Sequence, residues 1–397
     1  PEDAGFEVNN PQLAGGRIFR AFEASNGLPY IQAIDAESGA ALWDRPIASE
    51  AGIMVASDEM LVIAELSSTS QDPEPAHRLG GLDAKSGIRR WDAKLSGPPV
   101  AATLMGDRVM VLGWNNTLDA IGIEDGRRYY SADVSGESQW PEGLPTELAS
   151  FYFDPGRIAT IGATAVVVLA DGSVAAIDGE TGTGLWWMHR TLQGAADVLA
   201  IGDQLVIAVG GTYVMPPEGT PLPAVATPAS PDSLGCTTAL STAQPGTNIA
   251  GVTPPDYAGT LYNVDPATGE IAWSGTTSLL FDSVRDSARI SEKGLMLDTT
   301  TWHQGVTTPG DWCALDVATG MITPLTDPAS IALGSFINDV DANTAELIAV
   351  FANGQFVAYP VTPDAESMTP VVDLSPYLSG AFQWVELVDG AVYISMQ

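Results

Sequence analysis

A pattern that returns seven times constrains this chain more than any other feature: two mostly apolar residues, Asp, two variable residues, Ser or Thr, Gly, three variable residues, Trp. Four copies are complete. They are Ala33-Ile34-Asp35 with Ser38-Gly39 and Trp43, Gly81-Leu82-Asp83 with Ser86-Gly87 and Trp91, Ala176-Ile177-Asp178 with Thr181-Gly182 and Trp186, and Asn263-Val264-Asp265 with Thr268-Gly269 and Trp273. A fifth, Ala314-Leu315-Asp316 with Thr319-Gly320, has Pro324 in place of Trp. Ala120-Ile121-Gly122 with Asp125-Gly126 and Tyr130 is weaker, and Ala358-Tyr359-Pro360 keeps little of the pattern. Self-similarity at roughly 40 to 50 residues is the mark of a propeller.

The pattern has a physical logic. The apolar pair ends a buried strand, and Asp accepts hydrogen bonds from backbone N–H groups two residues on. Gly supplies the positive φ that a tight turn needs. The next strand carries Trp, a plate large enough to cover the edge of a neighbouring sheet and to bond through its indole N–H. Upstream of the copies sit further hairpins, as at 100–113 around Gly106-Asp107 and 198–209 around Gly202-Asp203. Each unit therefore reads as four short strands, A to D, in a meander, which is one propeller blade. The expected fold is all-β: a single β-propeller domain over 1–397, built of four-stranded antiparallel blades. Seven blades are expected, or eight if the hairpin at 383–395 opens another.

These repeats resemble the tryptophan-docking repeats of PQQ-dependent dehydrogenases. They also resemble the non-enzymatic relatives of that family, such as the propeller lipoprotein of the bacterial outer-membrane assembly machinery. The resemblance runs from about residue 17 to the end. In the enzymes it implies a vicinal Cys-Cys disulfide and a carboxylate-rich calcium and quinone site. Here Cys236 and Cys313 stand far apart and no run matches such a site. The expectation is thus a propeller without a cofactor: PQQ is disfavoured, and calcium has no motif to support it.

In a meander blade the B–C and D–A connections share one end, and the A–B and C–D turns the other. Nearly every long segment falls at the first end: 67–77, 135–154, 299–310 and an insertion at about 212–258 rich in Pro, Thr, Ala and Ser. Long loops of this kind are either functional or solvated passengers. Cys236 lies in the insertion and Cys313 begins strand C of the next blade at the same end, so the two are candidate disulfide partners, with two separate thiols as the alternative. A bridge over that separation would contribute about 4 kcal/mol and would imply an exported, oxidising location. The longest apolar run, 158–170, is too short to span a bilayer. The chain opens on Pro1, which reads as a processed form from which a leader or anchor has been removed.

Charge narrows the partners. Against 49 Asp and Glu stand 16 Lys and Arg, a net charge of -33. Such a field repels phosphate backbones and anionic lipid. The three histidines, His77, His189 and His303, have no metal-ligand spacing. No nucleophile elbow, phosphate loop or dinucleotide fingerprint stands in a fitting context. The most suggestive cluster is Trp302-His303 with Asp311-Trp312, which could grip a sugar or peptide or simply tie down its own loop. The expected function is an exported, monomeric, non-catalytic scaffold that binds a protein or envelope component through its long-loop end. A quinoprotein-like dehydrogenase and a glycan- or small-ligand-binding propeller are the alternatives.

Overall fold

The computed structural model describes residues 11–23, 28–47, 51–67, 76–135, 158–169, 173–188, 196–209, 239–242, 247–251, 259–277, 288–291, 294–298, 301–303, 306–308, 312–320, 322–324, 336–341, 346–350, 356–360, 372–373, 382–388 and 391–396. These are strands and turns almost throughout, with one short 3-10 turn at Ile249–Gly251.

Sheet one is β1 (Gln12–Ala14), β2 (Arg17–Glu23), β3 (Pro29–Asp35) and β4 (Ala41–Pro46). Sheet two is β5 (Ala51–Ala56), β6 (Met60–Ser67), β7 (Ala76–Asp83) and β8 (Arg89–Lys94). Sheet three is β9 (Pro99–Met105), β10 (Arg108–Gly113), β11 (Thr117–Gly122) and β12 (Arg128–Asp133). Sheet four is β13 (Ile158–Ile161), β14 (Thr164–Val168), β15 (Val174–Asp178) and β16 (Gly184–Met188). All four run in chain order as antiparallel meanders.

Sheet five departs from this plan. Its meander of β17 (Ala196–Ile201), β18 (Gln204–Val209), β20 (Gly259–Val264) and β21 (Ile271–Thr277) gains a fifth, outermost strand, β19 (Ala239–Thr242), which pairs with β21. β19 comes from the insertion between β18 and β20. Its register, Ala239 opposite Thr276 and Thr242 opposite Trp273, carries the chain down the outer edge of the sheet. Asn248 then bridges Glu270, and Ile249, fully buried, donates its N–H to Gly269 at the C–D turn. So residues 239–242 and 247–251, expected to be loop, are fastened to the sheet. The reason is that an edge strand needs partners on one side only, and a short polar segment satisfies an otherwise exposed ladder.

Sheet six is β22 (Ala288–Ser291), β23 (Gly294–Asp298), β26 (Trp312–Leu315) and β27 (Ile322–Pro324). Its B–C connection forms a separate hairpin of β24 (Thr301–His303) and β25 (Val306–Thr308). Sheet seven is β28 (Phe336–Asp341), β29 (Glu346–Val350), β30 (Phe356–Pro360) and β31 (Val372–Asp373). A terminal hairpin, β32 (Phe382–Val388) and β33 (Ala391–Met396), follows.

The chain divides into two units, residues 1–170 with 174–187, and 171–173 with 188–397. Within the first unit the opening strands of consecutive sheets lie side by side, β1 by β5, β5 by β9 and β9 by β13. Within the second, β22 lies by β28 and β28 by β32. Consecutive sheets thus meet along their first strands, the arrangement of blades in a propeller.

The core of the first unit is layered between sheets. Phe19, Ile31 and Trp43 of sheet one pack with Leu61, Ile63 and Leu82 of sheet two. The opposite face of sheet two, with Met60, Val62 and Leu79, packs on Val109, Val111 and Ile121 of sheet three. Met110, Leu112 and Leu118 then meet Ala165, Val167 and Ile177 of sheet four. A sheet buried on both faces cannot alternate apolar with polar, which is why these strands read as continuous apolar runs.

Candidate functional site

Each repeat turn is closed by its own residues. The Asp35 carboxylate accepts from Ser38 N–H at 2.8 Å and Ser38 Oγ at 2.6 Å. Asp83 repeats this with Ser86, Asp178 with Thr181 and Asp265 with Thr268, all at 2.8 or 2.9 Å. Asp316 accepts from the N–H groups of Ala318 and Thr319. In each of these five copies the glycine N–H returns to the carbonyl of the Asp position, and the glycine φ lies between 67° and 76°. The weak copy keeps the backbone turn, Gly126 N–H to Gly122 O, with Asp125 supplying the carboxylate from inside it.

A bulge on the outgoing strand follows the turns of sheets one, two, three and five. Ala33 pairs with Trp43 but Ile34 with Ala41, so Leu42 is skipped; Tyr129 is skipped in the same way between Ala120–Tyr130 and Ile121–Arg128. The bulge re-aims the aromatic that follows and pushes the skipped residue outward. This accounts for two large apolar side chains in the open, Leu42 at 46% and Tyr129 at 42% exposure.

The aromatics reach across to the next sheet. Trp43 Nε1 donates to Ala84 O at 3.0 Å, and its ring lies where a Cβ on Gly87 would be, 2.6 Å away. Trp91 Nε1 donates to Ile123 O at 2.9 Å, over Gly126. In the weak copy Tyr130 takes the role: its hydroxyl donates to Gly179 O at 3.0 Å and its ring covers Gly182. Burial first, with the Asp178 charge adding, pushes the Tyr130 hydroxyl up to about 12, so it keeps its proton and stays a donor. In the second unit Trp273 Nε1 donates to Val317 O at 2.7 Å, a carbonyl that Asn263 Nδ2 also reaches. Trp186 is buried on β16. The glycine thus has two reasons to be there, a positive φ and space for the ring of the preceding sheet.

Arginines reinforce the same seams. Arg45 donates to Ser86 O at 2.9 Å, Arg108 to Gly179 O and Glu180 O at 3.0 Å, and Arg128 to Lys94 O. Sequence reasoning missed them because their carbonyl partners carry no residue signature.

Asp35, Asp83 and Asp178 all sit below the usual carboxylate range. The Ser38 hydroxyl is the first cause for Asp35 and the Thr181 N–H for Asp178. Arg90, then Ser86, hold Asp83 down to about 2. A carboxyl whose folded value lies below its unfolded one stabilises fully above about pH 4 and loses that contribution as pH falls towards the folded value. Asp83→Asn is therefore expected to lower the melting temperature at pH 7, with the gap to wild type closing as pH falls from 4 to 2. Melting curves across that range check it, and a constant gap would exclude the carboxylate as its source.

At the long-connection end, Trp302 and His303 lie on β24, opposite Thr307 and Val306. Trp312 opens β26 opposite Asp298, with Cys313 next to it in register with Leu297. Asp311, Cys236 and the connections 68–75, 136–157 and 212–238 lie outside the described residues. His77 is on β7 opposite Leu66. Burial lowers its pKa, and its Nδ1 has no hydrogen-bond partner among the described residues. Among the described residues no three of His, Cys, Asp or Glu gather to hold a metal ion, and no helix is long and apolar enough to cross a membrane.

Four-stranded meanders whose last strand plugs an aromatic into the Asp-Gly turn of the following sheet define a β-propeller of PQQ-like repeats. A family model described as outer membrane protein assembly factor BamB matches residues 5–105, 27–186 and 75–227, and the chain belongs to that family. BamB from Moraxella catarrhalis superposes with a TM-score of 0.55 at 14% identity, covering 100% of this chain and 94% of that one. The computationally designed Ika8 protein superposes at 0.54 and 11% identity, covering 97% and 92%. At such identities the likeness is one of fold. No curated protein matches the chain.

Proposed function

We propose that the protein is a non-catalytic scaffold of the bacterial cell envelope, an assembly factor that holds a protein partner at its B–C and D–A connections. Family membership carries this reading. The contrast between the two ends of the sheets supports it. The C–D turns are closed on their own carboxylates, whereas the other end puts out the β24–β25 hairpin and the longest connections. A Cys236–Cys313 bridge, fixing the insertion above sheet six, belongs to the same proposal.

The test is cross-linking mass spectrometry in the native envelope, beside a variant with 212–235 replaced by a short Gly/Ser linker. That cut spares Cys236 and the edge strand β19. One recurring partner, linked to the long-connection end and lost in the variant, is the expected result. No recurring partner, or links indifferent to the replacement, would remove the scaffold reading.

A further inference from the structure

We propose that Arg78 and Lys94, at the long-connection end of sheet two, form a cationic patch that receives an acidic, extended segment of the protein partner. This names the chemistry of that partner and rests on the scaffold reading above.

The two cations are direct cross-strand neighbours: Arg78 of β7 is paired with Lys94 of β8 in the strand register. Residues opposed in this way hold their Cβ atoms about 4.5–5.5 Å apart, and like charges so placed repel. The backbones stay in register beyond the pair, with Leu95 N–H on His77 O at 2.9 Å. Both residues are exposed. A third cation joins from sheet three, where Arg128 donates to the Lys94 carbonyl, its Nε 3.5 Å from Asp119.

Composition makes the pairing unusual. With 49 Asp and Glu against 16 Lys and Arg, a cation in this chain has carboxylates to choose from. The β7–β8 hairpin inverts that balance, with five basic residues (Arg78, Lys85, Arg89, Arg90, Lys94) against Asp83 and Asp92. The carboxylates that share a face with the pair are already engaged. Glu65 lies opposite Arg78 on β6, and Asp92 opposite Gly80 on β8. Arg89 holds both: it donates Nη1 to Glu65 Oε2 at 2.8 Å, Nη2 to Glu65 Oε1, and Nη1 again to Asp92. Lys85 pairs with Glu59 and Arg90 with Asp83. Of the five, Arg78 and Lys94 are the ones without an ion pair among the described residues. A repulsion that the fold leaves uncompensated marks a functional position.

Place and charge select the occupant. Arg78 stands near the start of β7 and Lys94 ends β8, beside the B–C and D–A connections of the scaffold reading. An extended peptide presents carboxylates two residues apart on one face, roughly 7 Å from each other, within reach of both side chains. A broad anionic lipid surface would meet the repulsion of the whole chain, net charge -33, whereas a short segment meets the local field.

The probe is a capped hexapeptide of alternating Glu and Ser, titrated into the full chain at low ionic strength by calorimetry, with alternating Gln and Ser as its neutral control. Saturable binding of the Glu peptide alone is expected. Arg78→Gln and Lys94→Gln should each weaken it at least threefold and together at least tenfold. Lys85→Gln, the same charge change on the same hairpin, should leave it unaltered. Without peptide, Arg78→Gln should raise the melting temperature by about 1–2 °C, because it relieves the repulsion. Absence of saturable binding, an equal loss with Lys85→Gln, or a lowered melting temperature in Arg78→Gln overturns the proposal. So does binding to phosphatidylglycerol vesicles in place of the peptide. Binding that appears only after Asp72→Asn and Glu74→Gln assigns the cations to the chain's own B–C connection and overturns it as well. Cross-linking in the envelope separates the two readings: a partner retained by the Arg78→Gln, Lys94→Gln variant removes the patch and leaves the scaffold, whereas no partner with the wild type removes both.

Discussion

Trp91→Ala is expected to destabilise the protein by about 3–5 kcal/mol, the range for deleting a large buried aromatic. Three contributions go together. The ring is 8% exposed and belongs to the apolar layer between sheets two and three. It lies across Gly81 of its own sheet, where a Cβ would come within 2.0 Å of the indole, and across Gly126 of the next. A glycine on each side means that no neighbouring side chain can swing in to fill the space. The third contribution is the bond from Nε1 to Ile123 O. Trp91→Phe separates it from the rest: most of the ring remains, a buried carbonyl loses its donor, and the expected loss falls to about 1–2 kcal/mol. Denaturant titrations followed by circular dichroism measure both. Equal losses in the two variants would mean that the hydrogen bond, and not the packing, holds the seam.

Gly87→Ala comes second, and its size is best read against Gly39→Ala. Both glycines have φ near 67°, so alanine at either is strained by roughly 1–2 kcal/mol. At Gly39 that is the whole expected effect, since the described residues leave the position open. At Gly87 the new methyl meets Trp43 Cε3 at 2.6 Å. The ring must shift and its bond to Ala84 O with it, adding about 1–3 kcal/mol for overpacking. In a Trp43→Ala background the added part should vanish while the backbone part remains, so the two substitutions couple. If Gly87→Ala and Gly39→Ala cost the same, or if the pair is additive, the ring does not bear on the glycine.

Much of this architecture is legible in the chain, and what is legible is local. Asp35, Ser38 and Gly39 close a turn within five residues, so their spacing alone reveals it. The bulge at Leu42 and the small residue opposite each aromatic, Ala33 or Gly81, emerge only from the strand register. The target of each ring is not local. Trp43 bonds to a carbonyl 41 positions away, and any residue offers a carbonyl. The seam arginines are unreadable for the same reason. Sequence reasoning also missed β19 and the β24–β25 hairpin. Ala239-Leu240-Ser241-Thr242 has too few residues to show alternation, and it is a strand only because the outer edge of β21 lies free beside it. The long-connection end is an expectation from loop length, a cue to where a partner would be held but not to which side chains touch it.

The offset between ring and turn also decides what the unit of inheritance is. A segment cut from Asp to Trp looks like one repeat, but its ring serves the turn of the next. Losing an aromatic therefore relaxes selection on the following glycine, and the two decay as a couple. Pro324 replaces the ring of sheet six, and the sequence after Ala358-Tyr359-Pro360 in sheet seven lacks the Ser/Thr-Gly pair. Elsewhere the weak copy keeps Gly126, which Trp91 still needs, although it has exchanged its own Trp for Tyr130. Anyone duplicating, deleting or recombining blades of this chain should move each ring together with the turn that follows it, placing the junctions before a D strand and after the next C–D turn.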